Sequence, residues 1–242
     1  WDSPDLIKEC EARREIMKDY ALQKNWVDKD PRLCITYPAY LHIFLKRVPI
    51  VGILRNPLEV AASLYARNGL HWDLGLALWY IYNFHLASSV QEGDLILFYN
   101  DLLKLQDYGP ADSTFTRLLT FCERHDYNQP AQQDWLNAIN NSLSSDLNRA
   151  ADLLPYLSNA QVNSILLRKC NDAYNLLAEA GTSVSRFQQV FDNLPKSILM
   201  SLQRSDFICQ IPVKDKSQIQ VNLEQALMAN KDKLALLEKE LF

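Results

Sequence analysis

Read from the amino terminus, apolar positions first recur at helical spacing. Leu6, Ile7, Cys10, Ile16, Met17 and Tyr20 predict an amphipathic helix over 4–24, with Asp2 or Ser3 to cap it and Pro4 suited to the first turn. Residues 26–35 read as a short extended segment interrupted by Pro31, and 37–46 as a short helix. The pattern then changes. Val48-Pro49-Ile50-Val51-Gly52-Ile53-Leu54 is a continuous apolar run that stops at Arg55, the pattern of parallel strands buried on both faces. Asn56-Pro57 opens a helix with a side-chain cap and a proline at the first position, and Asn68-Gly69 ends it. A longer helix follows over 72–91. Gly93-Asp94 turns the chain into a second buried strand over 95–99, and Asn100-Asp101 caps another helix. Strand, helix, helix, strand, helix is the order of an α/β unit with right-handed crossovers.

Beyond residue 112 no strand pattern remains. Helices are expected over 113–125, 131–150, 158–180, 184–204 and 217–241, separated by Gly109-Pro110, Gln129-Pro130, Leu154-Pro155, Gly181 and Ile211-Pro212. In the last of them Ile219, Leu223, Leu227, Leu234, Leu237 and Leu241 recur among alternating charges, the pattern of a short coiled coil. The expected organisation is a domain over 1–180 followed by a helical extension over 181–242, with the coiled coil from about 217. The chain opens at Trp1, without methionine and already inside a helical pattern, so the expectation is a piece cropped from something longer.

Composition narrows the classes. Twenty-five basic against 29 acidic residues leave a net charge of −4, which argues against nucleic-acid binding through a broad basic surface. With 48% hydrophobic and 22% charged residues the chain is of globular rather than disordered composition. Six glycines in 242 residues fall well short of the ~7% average, too few for the turns of an all-β fold. No apolar run approaches the ~20 residues that span a bilayer, and nothing resembles a signal peptide. Cys10, Cys34, Cys122, Cys170 and Cys209 are scattered with no CxxC. They lack zinc-site spacing and suggest a reducing, cytoplasmic compartment.

The informative stretch is 26–103. The end of a strand in an open α/β sheet is where ligands bind. Arg55 stands there, and the helix opening at Pro57 turns its positive end toward the same place. Ser63 is four residues from both Glu59 and Arg67, so the three share one helix face. A guanidinium at the strand end and a hydroxyl on the next helix can grip one phosphate. Spacing alone is equally met by a surface Arg–Glu pair beside an ordinary helical serine.

These residues also carry a resemblance. Lys29-Asp30-Pro31-Arg32-Leu33-Cys34, then Leu54-Arg55-Asn56-Pro57-Leu58-Glu59-Val60-Ala61-Ala62-Ser63-Leu64, then Arg67-Asn68-Gly69-Leu70, then Leu78-Trp79 with Tyr82-Asn83, resemble the bacterial sulfotransferase family over roughly 1–125. The resemblance implies an α/β, P-loop-like fold with a short parallel sheet, incomplete at the amino terminus, followed by a mostly helical carboxy-terminal region. It implies a co-substrate, 3′-phosphoadenosine 5′-phosphosulfate, and no metal. By the same resemblance Arg55 and Ser63 bind the 3′-phosphate, Lys29 lies near the transferring sulfuryl group, and Tyr99 either lies near the adenine or phosphate or is a core tyrosine. Trp79 is read as helix core in preference to an adenine platform.

In such a transfer Lys29 or Arg32 supplies the cation that steadies the leaving phosphate. Asp30, His71 and Glu59 are the candidate bases, and Asp30 alternatively only orients Lys29 or Arg32. His42, His85 and His125 receive no role. The expected acceptor is a hydroxyl or amine of a carbohydrate, lipid or small metabolite, with no nucleic-acid partner and with self-association through the carboxy-terminal helices allowed. One departure stands out. The family cradles the 5′-phosphosulfate in a Gly/Ser/Thr-rich loop after an early strand, and residues 1–25 contain no glycine. The alternative is therefore an inactive sulfotransferase-like binding or assembly module.

Overall fold

The computed structural model describes residues 3–23, 26–108, 113–127 and 164–196, together with 134, 137, 138, 141, 162 and 198. The chain divides into units Trp1–Phe207 and Ile208–Phe242. The second unit, the helix expected over 217–241 and most of that expected over 131–150 lie outside the described residues. What is described is mixed α/β, dominated by helices around a two-stranded parallel sheet.

The elements run α1 (Pro4–Ile16), α2 (Lys18–Leu22), α3 (Leu33–Phe44), β1 (Val51–Leu54), α4 (Pro57–Asn68), α5 (Trp72–Ser89), β2 (Leu95–Phe98), α6 (Tyr99–Tyr108), α7 (Ser113–Arg124), α8 (Ser164–Ala180) and α9 (Val184–Val190). Several bounds differ from the sequence reading. The first helix breaks at Met17, which caps α1 by donating its amide to Arg13 O. α3 begins four residues early because the Asp30-Pro31-Arg32 turn already leads into it, Leu33 N donating to Asp30 O at 3.0 Å. Pro38 sits inside α3, where its missing N–H leaves the Cys34 carbonyl without its intrahelical donor. β2 passes into α6 without a loop, so Tyr99 is the first helical residue.

α5 is the central element. Trp72, Leu76, Ala77, Trp79, Tyr80 and Ala87 are all buried along it. Against it α4 packs unusually close: a Cβ at Gly75 would stand 2.8 Å from Ala61 Cα, so only glycine admits this contact. On another side α8 presents Leu166, Cys170, Ala173 and Leu177, buried at the i, i+4, i+7, i+11 spacing of one helix face. Phe187 and Phe191, on and just after α9, are buried in the same core, with Phe191 edge-on to Trp79 at 5.7 Å and to Tyr80 at 5.3 Å.

The two strands pair in register Val51↔Leu95, Gly52↔Ile96, Ile53↔Leu97 and Leu54↔Phe98. Gly52 and Ile96 face α5, and a Cβ at Gly52 would stand 2.7 Å from Ile96 Cδ1. On the opposite face Leu95 and Leu97 are covered by Phe121 of α7. Val51 and Ile53 are not covered; they are 40% and 53% exposed. The apolar run before Arg55 thus predicts a strand correctly but overstates its burial, since only alternate residues of β1 are enclosed.

The two strand edges differ as well. In this register Gly52 and Leu54 carry the ladder, so Val51 and Ile53 turn their N–H and C=O away from β2. Among the described residues neither is hydrogen-bonded on that side. The far edge of β2 is closed instead: Ile96 O accepts from Arg117 Nη2 at 2.7 Å and from Thr182 Oγ1 at 2.8 Å.

Both strands are fixed at their starts by one buried carboxylate. Asp94, whose side chain is fully enclosed, accepts from Ile50 N and Arg47 Nη1 through Oδ1, at 2.9 and 2.8 Å. Its Oδ2 accepts from Gln91 N at 2.8 Å and from Arg47 Nη2. Replacing one member of a buried ion pair strands the other, at about 3–5 kcal/mol. Asp94→Ala is expected to lower the unfolding free energy by about that amount in urea denaturation; an unchanged midpoint would show that the strands do not depend on this carboxylate.

Candidate functional site

A cleft of about 1230 Å³ opens along the uncovered side of β1. Its floor is Val48–Ile53. One wall is the segment 26–34 with Tyr37 and Tyr40 of α3, and the other is Val60, Ser63, Leu64 and Arg67 of α4 with Trp79, Tyr82 and Asn83 of α5. Phe121, Cys122 and Tyr127 also line it. The charged groups that line it are Lys29, Arg32, Arg55 and Arg67 against Asp28 and Asp30. A chain with a net charge of −4 therefore gathers four cations against two carboxylates in this cleft.

Arg55 is set at the carboxy-terminal end of β1 by contacts on three sides. Its carbonyl accepts from Trp79 Nε1 at 2.8 Å. The guanidinium lies over the Tyr99 ring, 4.5 Å from the centroid, and its Nε donates to Glu59 at 2.9 Å. Glu59 stands one turn into α4, the helix that Asn56 caps by accepting from Leu58 N at 2.9 Å and from Glu59 N at 3.4 Å. The Arg55–Glu59 spacing noted in the sequence is thus a real, largely buried pair, of which Arg55 lines the cleft. Ser63, one turn further along α4, lines the same cleft.

The 29–34 segment forms the facing wall. Arg32 donates Nε and Nη2 to the two oxygens of Asp30, at 2.9 and 2.5 Å, and its backbone N donates to Asp30 Oδ1 at 2.8 Å. Hydrogen bonds from Arg32 hold the Asp30 carboxyl well below the usual carboxylate range. A carboxylate so stabilised is a weak proton acceptor, so the arrangement fits Asp30 to holding Arg32. Lys29 is exposed on this wall.

The remaining sequence candidates fall elsewhere. His71 caps α5, its Nδ1 accepting from Asp73 N at 3.2 Å, and is not among the residues lining the cleft. Glu59 does not line it either. Tyr99 lies beneath Arg55, supporting the guanidinium with its face. Trp79 is buried as expected of helix core, yet it also anchors the strand end through its indole N–H. Sequence reasoning missed Asp28, Tyr40 and the aromatic series beside them. Trp26 lies 5.2 Å from Tyr20 and 5.2 Å from Phe44, and Phe44 lies 5.5 Å from Tyr40. The clue available was aromatic residues at i, i+4 on α3, next to an aspartate just ahead of Lys29.

Cys34 lines the cleft as well, with its thiol pushed up to about 11 by burial. Among the described residues no group of three or more His, Cys, Asp or Glu side chains could hold a metal ion, and no helix is long and apolar enough to cross a membrane. In comparisons with known proteins the chain matches no family model, no curated protein and no solved structure.

The Asp30–Arg32 pair has a pH signature. Because the folded-state value is depressed, the pair favours the folded chain above the ordinary value of 3.8 and fades only as pH falls through the depressed one. Carboxyl-carbon NMR is expected to find Asp30 still ionised below 3.8 and to find it returned to the ordinary range in Arg32→Ala. Ordinary titration in the unmodified chain would mean that Arg32 does not hold it.

Proposed function

We propose that this chain carries the nucleotide and transfer side of a sulfotransferase that uses 3′-phosphoadenosine 5′-phosphosulfate. The observation that carries the reading is Arg55 at the end of a parallel strand, beside the start of α4, facing the same cleft as Ser63, Lys29 and Arg32. Strand ends and helix amino termini are where α/β sheets receive phosphorylated ligands. The cleft is of a size that takes a small-molecule ligand. Its cations suit an anionic donor.

In this reading Arg55 and Ser63 hold the 3′-phosphate, with Tyr99 and Glu59 orienting the guanidinium. Lys29 and Arg32 supply positive charge toward the sulfuryl group and the leaving phosphate. The donor when bound supplies the activated sulfuryl group; the chain supplies position and charge neutralisation. The acceptor is a hydroxyl or amine compound of the carbohydrate, lipid or small-metabolite class. The open edge of β1 lies in this same cleft, so a further strand carrying a phosphate-cradling loop would take up part of its volume. A binding module without transfer is the second reading. It is favoured by the helical course of residues 4–22, which offers no glycine-rich loop to the cleft.

Isothermal titration with nucleotides tests the assignment. Adenosine 3′,5′-bisphosphate is expected to bind more tightly than adenosine 5′-monophosphate. Arg55→Ala is expected to weaken the bisphosphate by about 10- to 100-fold, the range for a lost charge-assisted hydrogen bond, and to leave the monophosphate almost unchanged. Equal affinities for the two nucleotides in the unmodified chain would overturn the reading.

A further inference from the structure

Resting on the transfer reading above, the geometry points to Asp28 as the group that takes the acceptor's proton, with Tyr40 as its positioning residue. The cleft offers few carboxylates. Among the described residues only Asp28 and Asp30 line it. Asp30 is occupied on both oxygens by the Arg32 guanidinium and is too weak a base for the task. The other bases that the sequence offers, His71 and Glu59, do not line the cleft; one caps α5 and the other pairs with Arg55.

Asp28 is differently held. Its Oδ2 accepts from the Tyr40 hydroxyl, and among the described residues no ion pair engages it. It immediately precedes Lys29, so the proton acceptor and the cation assigned to the sulfuryl group stand on neighbouring residues of one wall. Tyr40 is itself fixed by ring contact with Phe44. Burial, and then the neighbouring Asp28, hold its phenol well above the ordinary value, with Tyr20 and Asp30 adding to the same direction. The phenol therefore stays protonated and continues to donate. One carboxylate oxygen is thereby engaged, and the carboxylate is aligned on the cleft wall.

The step balances as follows. The acceptor hydroxyl gives its proton to the Asp28 carboxylate while its oxygen forms a bond to sulfur. The bond between sulfur and the 5′-phosphate oxygen breaks, and its electron pair leaves on adenosine 3′,5′-bisphosphate. Water serves as the simplest acceptor, yielding inorganic sulfate.

The test compares the unmodified chain with Asp28→Asn and Tyr40→Phe. Three measurements are made: bisphosphate affinity, sulfate released from the donor with water as acceptor, and the phenol titration by ultraviolet difference spectroscopy. Asp28→Asn is expected to bind the bisphosphate at least as tightly as the unmodified chain and to release sulfate about 100-fold more slowly or worse, the usual share of a general base. Tyr40 should titrate at lower pH in that variant, a shift independent of turnover. Tyr40→Phe should show a smaller loss with the same nucleotide affinity. Sulfate release by Asp28→Asn at the unmodified rate overturns the assignment, as does an unmodified chain that binds the bisphosphate yet releases no sulfate. Failure to bind the bisphosphate at all removes the donor reading itself, and this assignment with it.

Discussion

A single enclosed carboxylate sets the frame from which the cleft is built. Asp94 gathers the amides of Ile50 and Gln91 and the guanidinium of Arg47. It therefore ties the residue before β1 to the turn before β2. Burying a charge is costly unless its hydrogen bonds are met, and here four donors meet them. A shift of register would break that set, because Ile50 also gives its carbonyl to Leu95 N. The end of β1, and Arg55 with it, inherits its position from this joint four residues upstream.

From that strand end the packing radiates in a consistent way. Trp79 reaches across from α5 to the Arg55 carbonyl, and Gly75 lets α4 come close enough for Ser63 and Glu59 to share the neighbourhood. The same side chain can therefore serve two scales. Trp79 is core by burial and also a fastener of the site, so a core residue determines where the cleft-lining Arg55 stands. Tyr99 does the equivalent from below, lending its ring to the guanidinium.

Much of this was legible in the residues. The strand ending at Arg55, the Asn56-Pro57 helix start and the stop at Gly69 are local signals, each written within a few residues, and all three are found. The sharing of one cleft by 29–34 and 55–67 came only with the resemblance, because neither segment contains a mark of the other. The joint at Asp94 was read merely as a turn, since its partner Arg47 lies 47 residues away. Asp28 was passed over for a similar reason: its partner Tyr40 lies 12 residues away on a helix whose reading from sequence says nothing of what it faces. The coverage of β1 was misjudged because an apolar run reports what a side chain prefers, not whether a neighbour exists to cover it.

The contrast between the two strand edges gives the sheet a direction. Arg117 and Thr182 seal β2 at Ile96, so among the described residues the edge left open is that of Val51 and Ile53. A strand added at that edge enters beside Arg55, and its ordering is thereby coupled to the cleft. Assembly and occupancy become linked equilibria: whatever steadies the added strand steadies the cleft floor, and a ligand spanning both would draw the strand into place.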